Sequence, residues 1–153
     1  MRRILLACGF LAGCSTVGPS TLYDPHFPAT TESAGSFEVG RSRNAVVMVR
    51  AMRATSGNRA QHALGLIVAR SDLNYPKIDH LRSYGTRLPY VRQDRHRIGY
   101  LRAEVGLIPL TAKQFDRLSK TGLAFRIYGP RGPYDASVPP EALELPEGRG
   151  NDR

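Results

Sequence analysis

The chain contains few cysteines, and both of them lie close to its N-terminus. Cys8 and Cys14 are the only two cysteines among the 153 residues, and both fall within the apolar stretch LLACGFLAGC, residues 5–14. The sequence also lacks the run of about 20 apolar residues that a transmembrane helix needs, because the N-terminal apolar segment ends at Gly13 and polar residues follow it. The length of this segment therefore argues against a membrane span.

The N-terminal segment has the order of features that is typical of a secretory signal. Two arginines follow Met1, an apolar segment comes next, and small residues precede Cys14. The last four residues of the segment, Leu11-Ala12-Gly13-Cys14, resemble the lipobox of bacterial lipoproteins, in which the cysteine is acylated and becomes the N-terminus of the mature chain. The alternative is an ordinary signal peptide whose cleavage site happens to precede a cysteine.

The resemblance to lipoproteins implies that residues 1–13 are removed as a signal peptide and that Cys14 carries several acyl chains, such as palmitate. Several chains form a stable membrane anchor, since each buried CH₂ contributes about 0.8 kcal/mol. Ser15, rather than Asp, follows the cysteine, which in lipoproteins of this kind implies sorting to the outer membrane. The mature chain would then have no free thiol, which argues against a disulfide framework, cysteine catalysis and thiolate metal ligation.

Lysine is scarce, and arginine carries most of the positive charge. The formal net charge is +9, from 22 cationic and 13 acidic side chains, and only 3 of the cations are lysines. Arginine binds phosphate and carboxylate groups in a bidentate manner, although a GC-rich genome would also explain its abundance. Nucleic acid is not expected as a partner of an exported, membrane-anchored domain. The charge favours anionic lipid, lipopolysaccharide or an acidic protein instead.

Composition divides the mature chain into three segments after the predicted signal peptide. Residues 14–35 are rich in Ser, Thr, Pro and Gly and have no apolar periodicity, which predicts a lipidated N-terminus and a flexible tether. Residues 36–140 contain the periodic segments and are predicted to form one β-rich globular domain. Residues 141–153 are polar and are predicted to form a C-terminal tail.

Alternation of apolar and polar residues predicts the strands of this domain. Residues 44–54 and 61–70 predict a hairpin with its reversal at Gly57 and Asn58, and residues 87–93 and 96–110 predict a second pair of strands. Residues 123–129 and 134–139 predict two further strands. A short α-helix is predicted near residues 112–121, because Thr111 and Gln114 have the spacing of a capping box and Gly122 can end the helix.

These elements predict a mainly β fold, a small antiparallel β-sandwich or open barrel with one short α-helix near residues 112–121. The alternative is an α+β domain in which residues 61–70 are helical. Gly65 and the Leu-Ile-Val run that follows it favour a strand in this segment.

Two stretches in the second half of the chain, EVGLIPLT at residues 104–111 and TGLAFRIYGPRGPYDASVP at residues 121–139, flank the predicted helix. Together with the preceding residues from Ser83 onward, they resemble a pattern in small envelope lipoproteins of Gram-negative bacteria whose role is not established. The resemblance implies an envelope location and a β-rich fold. It implies no catalytic residues.

No local motif for catalysis or metal binding is present in the sequence. The four histidines lack the H-x-x-x-H and H-x-H spacings of a metal motif: His26, His62, His80 and His96. A G-x-S-x-G motif and a phosphate-cradling glycine loop are also absent. We therefore predict no catalytic residue, no metal and no cofactor. A site assembled from distant positions is the least favoured alternative, with the candidates His62, His80, His96 and Glu104.

The strongest local signal is the positive charge between residues 82 and 102. This stretch contains six arginines and a single acid, Asp94, with tyrosines interleaved. The period of two residues along a strand places Arg95 and Arg97 on one face. We predict an anion-binding sheet face with four candidate residues: Arg92, Arg95, Arg97 and Arg102. The alternative is a solvated sheet face whose charges prevent edge-to-edge aggregation.

The sequence thus predicts a non-catalytic, outer-membrane-anchored lipoprotein that acts as a binding or assembly module on the periplasmic face of the cell envelope. A first alternative is a binder of anionic envelope lipid or lipopolysaccharide through the arginine-rich face. A second alternative is an envelope enzyme with a spatially assembled site. The expected partners are the membrane, through lipidated Cys14, and an envelope protein or anionic lipid.

Overall fold

A computed structural model describes residues 30–72 and 74–145 and places them in two antiparallel β-sheets with one α-helix. The predicted signal peptide, the lipobox with Cys14, His26 and most of the predicted tether lie outside the described residues. The sheets do not close into a barrel, so the predicted mainly β class is confirmed in its sandwich form.

The described residues form ten strands. In chain order they are β1 (Thr30–Ser33), β2 (Phe37–Arg41), β3 (Ala45–Ser56), β4 (Arg59–Arg70), β5 (His80–Ser83), β6 (Thr86–Leu88), β7 (Val91–Ile98), β8 (Leu101–Leu110), β9 (Leu123–Tyr128) and β10 (Tyr134–Val138). The large sheet has the order β1-β3-β4-β8-β7, and β2 also pairs with β3. The small sheet has the order β10-β9-β5-β6.

The predicted hairpin of β3 and β4 forms the centre of the large sheet. The two strands pair in continuous register from Ala45 opposite Arg70 to Ser56 opposite Arg59. Gly57, at φ +55°, allows the tight reversal between them. The helical alternative for residues 61–70 is therefore wrong, because these residues belong to a central strand where β-branched and aliphatic side chains pack on both sides.

The core lies between the facing sides of the two sheets. Alternate residues of each strand point toward it, among them Leu64, Leu66 and Ile108 from the large sheet. The small sheet contributes residues that include Leu81 and Ile127. Each fully buried aliphatic side chain of this kind contributes about 1.5–3 kcal/mol to folding, so the hydrophobic contact between the layers is the main source of stability.

The predicted helix is confirmed as α1 (Ala112–Thr121). Its N-terminus has the predicted capping box: Thr111 Oγ1 accepts a hydrogen bond from the backbone N–H of Gln114 at 3.1 Å, and Gln114 Oε1 accepts one from the backbone N–H of Thr111 at 2.8 Å. Phe115 and Leu118 are buried on one face of the helix. Gly122 ends the helix at φ +71°, a conformation that favours glycine.

The second predicted strand pair is wrong in its boundaries. The chain reverses at Gly99 and Tyr100, between β7 and β8, rather than between residues 93 and 96. Gly99 has φ +59° and allows this two-residue turn. Residues 96–98 therefore belong to β7 and pair with the start of β8, and Tyr100 lies in the turn between the two strands.

Ordered structure extends beyond the predicted domain limits of 36 and 140. At one end, β1 lies within the predicted tether and pairs with β3. At the other end, a short 3₁₀ helix, Pro140–Leu143, follows β10, and its Ala142 and Leu143 are buried in the core. The start of the segment predicted as a polar tail therefore packs against the core through these two apolar side chains.

Candidate functional site

The fold divides the arginine-rich stretch between the two sheets. Arg82 and Arg87 lie on β5 and β6 of the small sheet, whereas the remaining arginines lie at the β7 edge of the large sheet. We call this second group, together with the residues that contact it on β8, the β7–β8 corner. Its arginines are the four predicted candidates: Arg92, Arg95, Arg97 and Arg102.

A β-bulge places Arg92 and Arg95 on the same face of the sheet. Residues three apart on a regular strand point to opposite faces, but the pairing of β7 with β8 shifts after Arg92. As a result Arg92 lies opposite Gly106, and Arg95 lies opposite Glu104. Glu104 and Gly106 are two residues apart on β8 and share a face, so the arginines opposite them share that face too.

This face continues the inner, core-facing side of the large sheet. Val68 and Leu66 of β4, both buried in the core, lie opposite Glu104 and Gly106 on the other side of β8. The inner face therefore changes from aliphatic to ionic between β4 and β7. The arginines therefore extend the inner face of the sheet to its edge, where Arg92, Arg95 and Arg97 are exposed to solvent.

Glu104 is the centre of the corner. Its Oε1 accepts hydrogen bonds from Arg92 Nε at 3.1 Å, from the Tyr90 hydroxyl at 3.1 Å and from the backbone N–H of Ile78 at 3.2 Å. Its Oε2 accepts one from Arg95 Nε at 2.7 Å. The Glu104 side chain is fully buried, whereas those of Arg92 and Arg95 are 45% and 38% exposed. The carboxylate therefore ties the edge strand to β8 and leaves part of each guanidinium in solvent.

Tyr90 covers the carboxylate from the side of Gly106. A Cβ atom at position 106 would overlap the Tyr90 ring, so only glycine leaves room for the tyrosine here. Burial, followed by the charge of Glu104, raises the pKa of the Tyr90 hydroxyl well above its ordinary value of 10.0. The hydroxyl therefore stays protonated at physiological pH and donates to Glu104.

Arg97 and Arg102 form the end of the corner next to the β7–β8 turn, where Arg97 is exposed and Arg102 is half-buried. They lie directly opposite each other on β7 and β8, a position in which like charges destabilise a sheet pair. Within the described part of the chain, neither forms a salt bridge with a carboxylate. Arg97 Nε donates to the Gly99 carbonyl at 2.8 Å, and the Arg102 guanidinium lies 5.1 Å from the centroid of the Tyr75 ring. The pair is therefore a concentration of uncompensated positive charge.

Arg70 on β4 continues the line of facing arginines formed by Arg97 and Arg102, but Asp72 neutralises its charge. It lies opposite Arg102 on the same face and is almost completely buried. Its Nε donates to both oxygens of Asp72, at 3.1 and 3.0 Å, and this hydrogen bonding lowers the pKa of the Asp72 carboxyl. Arg70 also contacts the Tyr134 hydroxyl and the Arg131 carbonyl. Its role is to fix the loop after β4 against the small sheet.

Sequence reasoning found the four arginines but missed the role of Glu104. The signal was a single carboxylate inside the apolar strand EVGLIPL, directly after a stretch with six arginines. A charged residue in such a strand is buried only when it is paired, which makes the nearby arginines its natural partners. Arg92 and Arg95 are the partners that the structure shows.

The structure does not bring the histidines together. Each has a different neighbour: His62 lies beside Phe115, His80 stacks on Tyr128, and His96 lies beside Asp94. Among the described residues, no hydrogen bond, ion pair or ring contact joins two of these histidines or joins a histidine to the buried glutamate. The same residues contain no group of three or more His, Cys, Asp or Glu side chains that could hold a metal ion.

Comparison with known proteins gives no relative from which a function could be transferred. No protein-family model matches the chain, and neither a curated protein nor a solved structure matches it. None of the helices in the described ranges, 30–72 and 74–145, is both long and apolar enough to cross a membrane. The geometry and charge of the β7–β8 corner are therefore the guide to function.

Proposed function

We propose that this chain is a lipid-anchored, non-catalytic binding module of the cell envelope, and that its β7–β8 corner binds the phosphate groups of anionic lipid or lipopolysaccharide. The observation that carries the proposal is the Arg97–Arg102 pair, in which two arginines face each other without a carboxylate partner among the described residues. The lipobox resemblance at Cys14 supports a location at the membrane surface, most simply the outer membrane.

Glu104 orients the other two arginines for the same task. From each of these arginines it accepts a hydrogen bond through the Nε–H group. Arg92 Nη2 donates to the Ile78 carbonyl at 3.4 Å, and among the described residues no acceptor contacts the Nη groups of Arg95. A guanidinium fork binds phosphate in a bidentate manner. Side chains that are already held in place lose less conformational entropy when they bind a ligand. The buried carboxylate thus acts as an internal support for a phosphate-binding surface.

The contribution of the arginines to membrane binding follows from their charge near an anionic surface. Each arginine at such a surface contributes about 1 kcal/mol to membrane binding. Loss of Arg97 and Arg102 should therefore weaken binding by about 2 kcal/mol, or about 30-fold. The interaction should also weaken as salt is added, because the Debye length falls from about 8 Å at physiological ionic strength to about 3 Å at 1 M.

The test uses the mature chain with Cys14→Ser, so that binding reports on the domain rather than on the lipid anchor. Co-sedimentation is measured with vesicles of phosphatidylcholine mixed with phosphatidylglycerol, with vesicles that contain lipopolysaccharide, and with phosphatidylcholine alone. Arg97→Gln/Arg102→Gln is compared with Arg43→Gln/Arg117→Gln, which removes the same charge from exposed positions elsewhere.

We expect salt-sensitive binding to the anionic vesicles that the corner variant loses and the control variant keeps. An equal loss in both variants would mean that net charge alone, rather than this corner, drives binding. Binding that persists in the corner variant, or that is absent from the unmodified domain, would contradict the proposal.

A role as an assembly module for a protein partner has less support from the geometry. The exposed edge of β7 is the natural place for another strand to add to the large sheet, but it carries a bulge and several charged residues. Both features are typical devices against edge-to-edge strand pairing.

A further inference from the structure

The hairpin of β5 and β6 has an unfavourable residue at its tip. Ser83 lies opposite Thr86, so Tyr84 and Gly85 form a two-residue turn, with φ values of +47° and +82°. Turns of this kind favour Asn, Asp or Gly at both central positions, because a side chain at positive φ crowds its own backbone. Tyr84 is the only non-glycine residue at positive φ among the described residues.

The side chain of Tyr84 does not stabilise the strained turn through a hydrogen bond or ring contact with another described residue. Tyr84 is 93% exposed, the highest value among the large hydrophobic residues that the structure describes. No hydrogen bond or ring contact to another described residue involves it. A strained backbone that persists without a structural reason is typical of binding sites.

A second unfavourable feature lies directly behind the turn. Arg82 is paired with Arg87 on one side and with Arg126 on the other, so three arginines form one row across the outer face of the small sheet. Asp135 forms a bidentate interaction with Arg126, at 2.6 and 3.0 Å. In the described part of the chain, neither Arg82 nor Arg87 has an acidic partner, although like charges opposite each other destabilise a sheet.

A groove of about 680 Å³ runs along this face, next to the strained turn. Its lining residues include Arg82, Tyr84, Tyr128 and Ser137, together with the ion pair of Arg126 and Asp135. The groove therefore combines a site for an anion, an exposed aromatic face and several hydrogen-bonding groups. It is separate from the β7–β8 corner, which belongs to the other sheet.

We infer that this groove binds a saccharide that carries a phosphate or carboxylate group. Arg82, with Arg87 opposite it on β6, supplies the positive charge for the anionic substituent. The exposed Tyr84 ring provides a flat apolar surface for the face of a sugar ring, and its hydroxyl remains in water. Ser137 and Tyr128 can hydrogen-bond to sugar hydroxyl groups.

The probe is glucose 6-phosphate, with glucose and inorganic phosphate for comparison, titrated into the mature chain with Cys14→Ser and followed by NMR. We expect glucose 6-phosphate to shift the signals of residues 82–87 and 124–128. Binding should be weaker by more than about tenfold in Arg82→Gln/Arg87→Gln, because charge-assisted hydrogen bonds are lost. The Arg97→Gln/Arg102→Gln variant should bind the probe normally, which separates this site from the proposed membrane site.

Tyr84→Gly distinguishes binding from folding. Glycine accommodates the positive φ of the turn, so the melting temperature of this variant should be unchanged or higher, while its affinity for glucose 6-phosphate should fall by about fivefold. Unchanged affinity in this variant would overturn the inference. So would equal affinity for inorganic phosphate, which would remove the role of the sugar, or tighter binding of hexaglutamate, which would identify an acidic peptide as the ligand.

Discussion

Replacing Glu104 by Gln tests whether the buried carboxylate holds the β7–β8 corner together. The substitution preserves the size of the side chain and removes its charge. The amide oxygen can still accept from the Tyr90 hydroxyl and the Ile78 N–H, but the amide NH₂ group then faces the Arg95 donor that the native Oε2 accepts at 2.7 Å. Arg95 therefore loses its hydrogen-bond acceptor, and the Nε–H group of Arg92 retains only the neutral amide oxygen as its acceptor.

The expected loss of stability follows from burial. A hydrogen bond to a charged group contributes about 1.5–3 kcal/mol, and removing one partner of a buried ion pair destabilises by about 3–5 kcal/mol. Arg92 and Arg95 are 45% and 38% exposed, so water solvates them partly after the substitution and reduces the loss. We expect Glu104→Gln to lower the free energy of unfolding by about 2–3 kcal/mol.

The assay is urea unfolding followed by circular dichroism, since the chain has no tryptophan to serve as a fluorescent probe. Glu144→Gln is the matched control: Glu144 is exposed, and its substitution should change the free energy by less than about 0.5 kcal/mol. A double-mutant cycle with Arg95→Gln should give a coupling energy above about 0.5 kcal/mol. A Glu104→Gln protein as stable as the Glu144→Gln control would refute the proposed role of the carboxylate.

Further predictions concern the surroundings of this site, α1 and His62. Gly106→Ala should destabilise the protein by about 1–3 kcal/mol in urea unfolding, because the added methyl group displaces the Tyr90 ring; a neutral effect would contradict the packing described. Thr111→Ala should lower stability by about 1 kcal/mol through loss of the cap of α1, and a change below about 0.3 kcal/mol would count against that cap. Burial, followed by the charge of Arg53, lowers the pKa of His62 below 6.5, so the folded state binds this proton less readily than the unfolded state. Stability should therefore fall as pH drops through 6.5 and level off below the folded pKa. The His62→Gln variant should show a smaller fall in stability over this pH range. An NMR titration of His62 with a midpoint above 6.5 would contradict the prediction.

The parts of the fold that the sequence predicted are those with strong local signals. Residues 45–56 and 59–70 combine alternating β-branched residues with a Gly-Asn turn, and α1 carries both a capping box and a terminal glycine. The reversal at Gly99 was missed because the alternating pattern around it continues with little interruption. Strand β5 was missed because HLRS offers only one apolar residue and forms its pairs with β6 and β9, the latter distant in sequence.

The candidate site was predictable in composition but not in geometry. The charge of the stretch identified its four arginines, and strand periodicity related Arg95 to Arg97. The common face of Arg92 and Arg95 depends on a bulge, which follows from the pairing of β7 with β8 and has no signature in either strand alone. The burial of Glu104 depends in the same way on which strand lies beside it.

Co-purification from living cells tests the proposed function most directly. The lipidated protein is crosslinked, purified and analysed by mass spectrometry for both proteins and lipids, beside its Arg97→Gln/Arg102→Gln variant. The proposal predicts that anionic lipid or lipopolysaccharide is enriched with the unmodified protein and reduced with the variant. A single protein recovered in near-stoichiometric yield with both forms, without such lipid enrichment, would contradict the proposal and identify the chain as an adaptor.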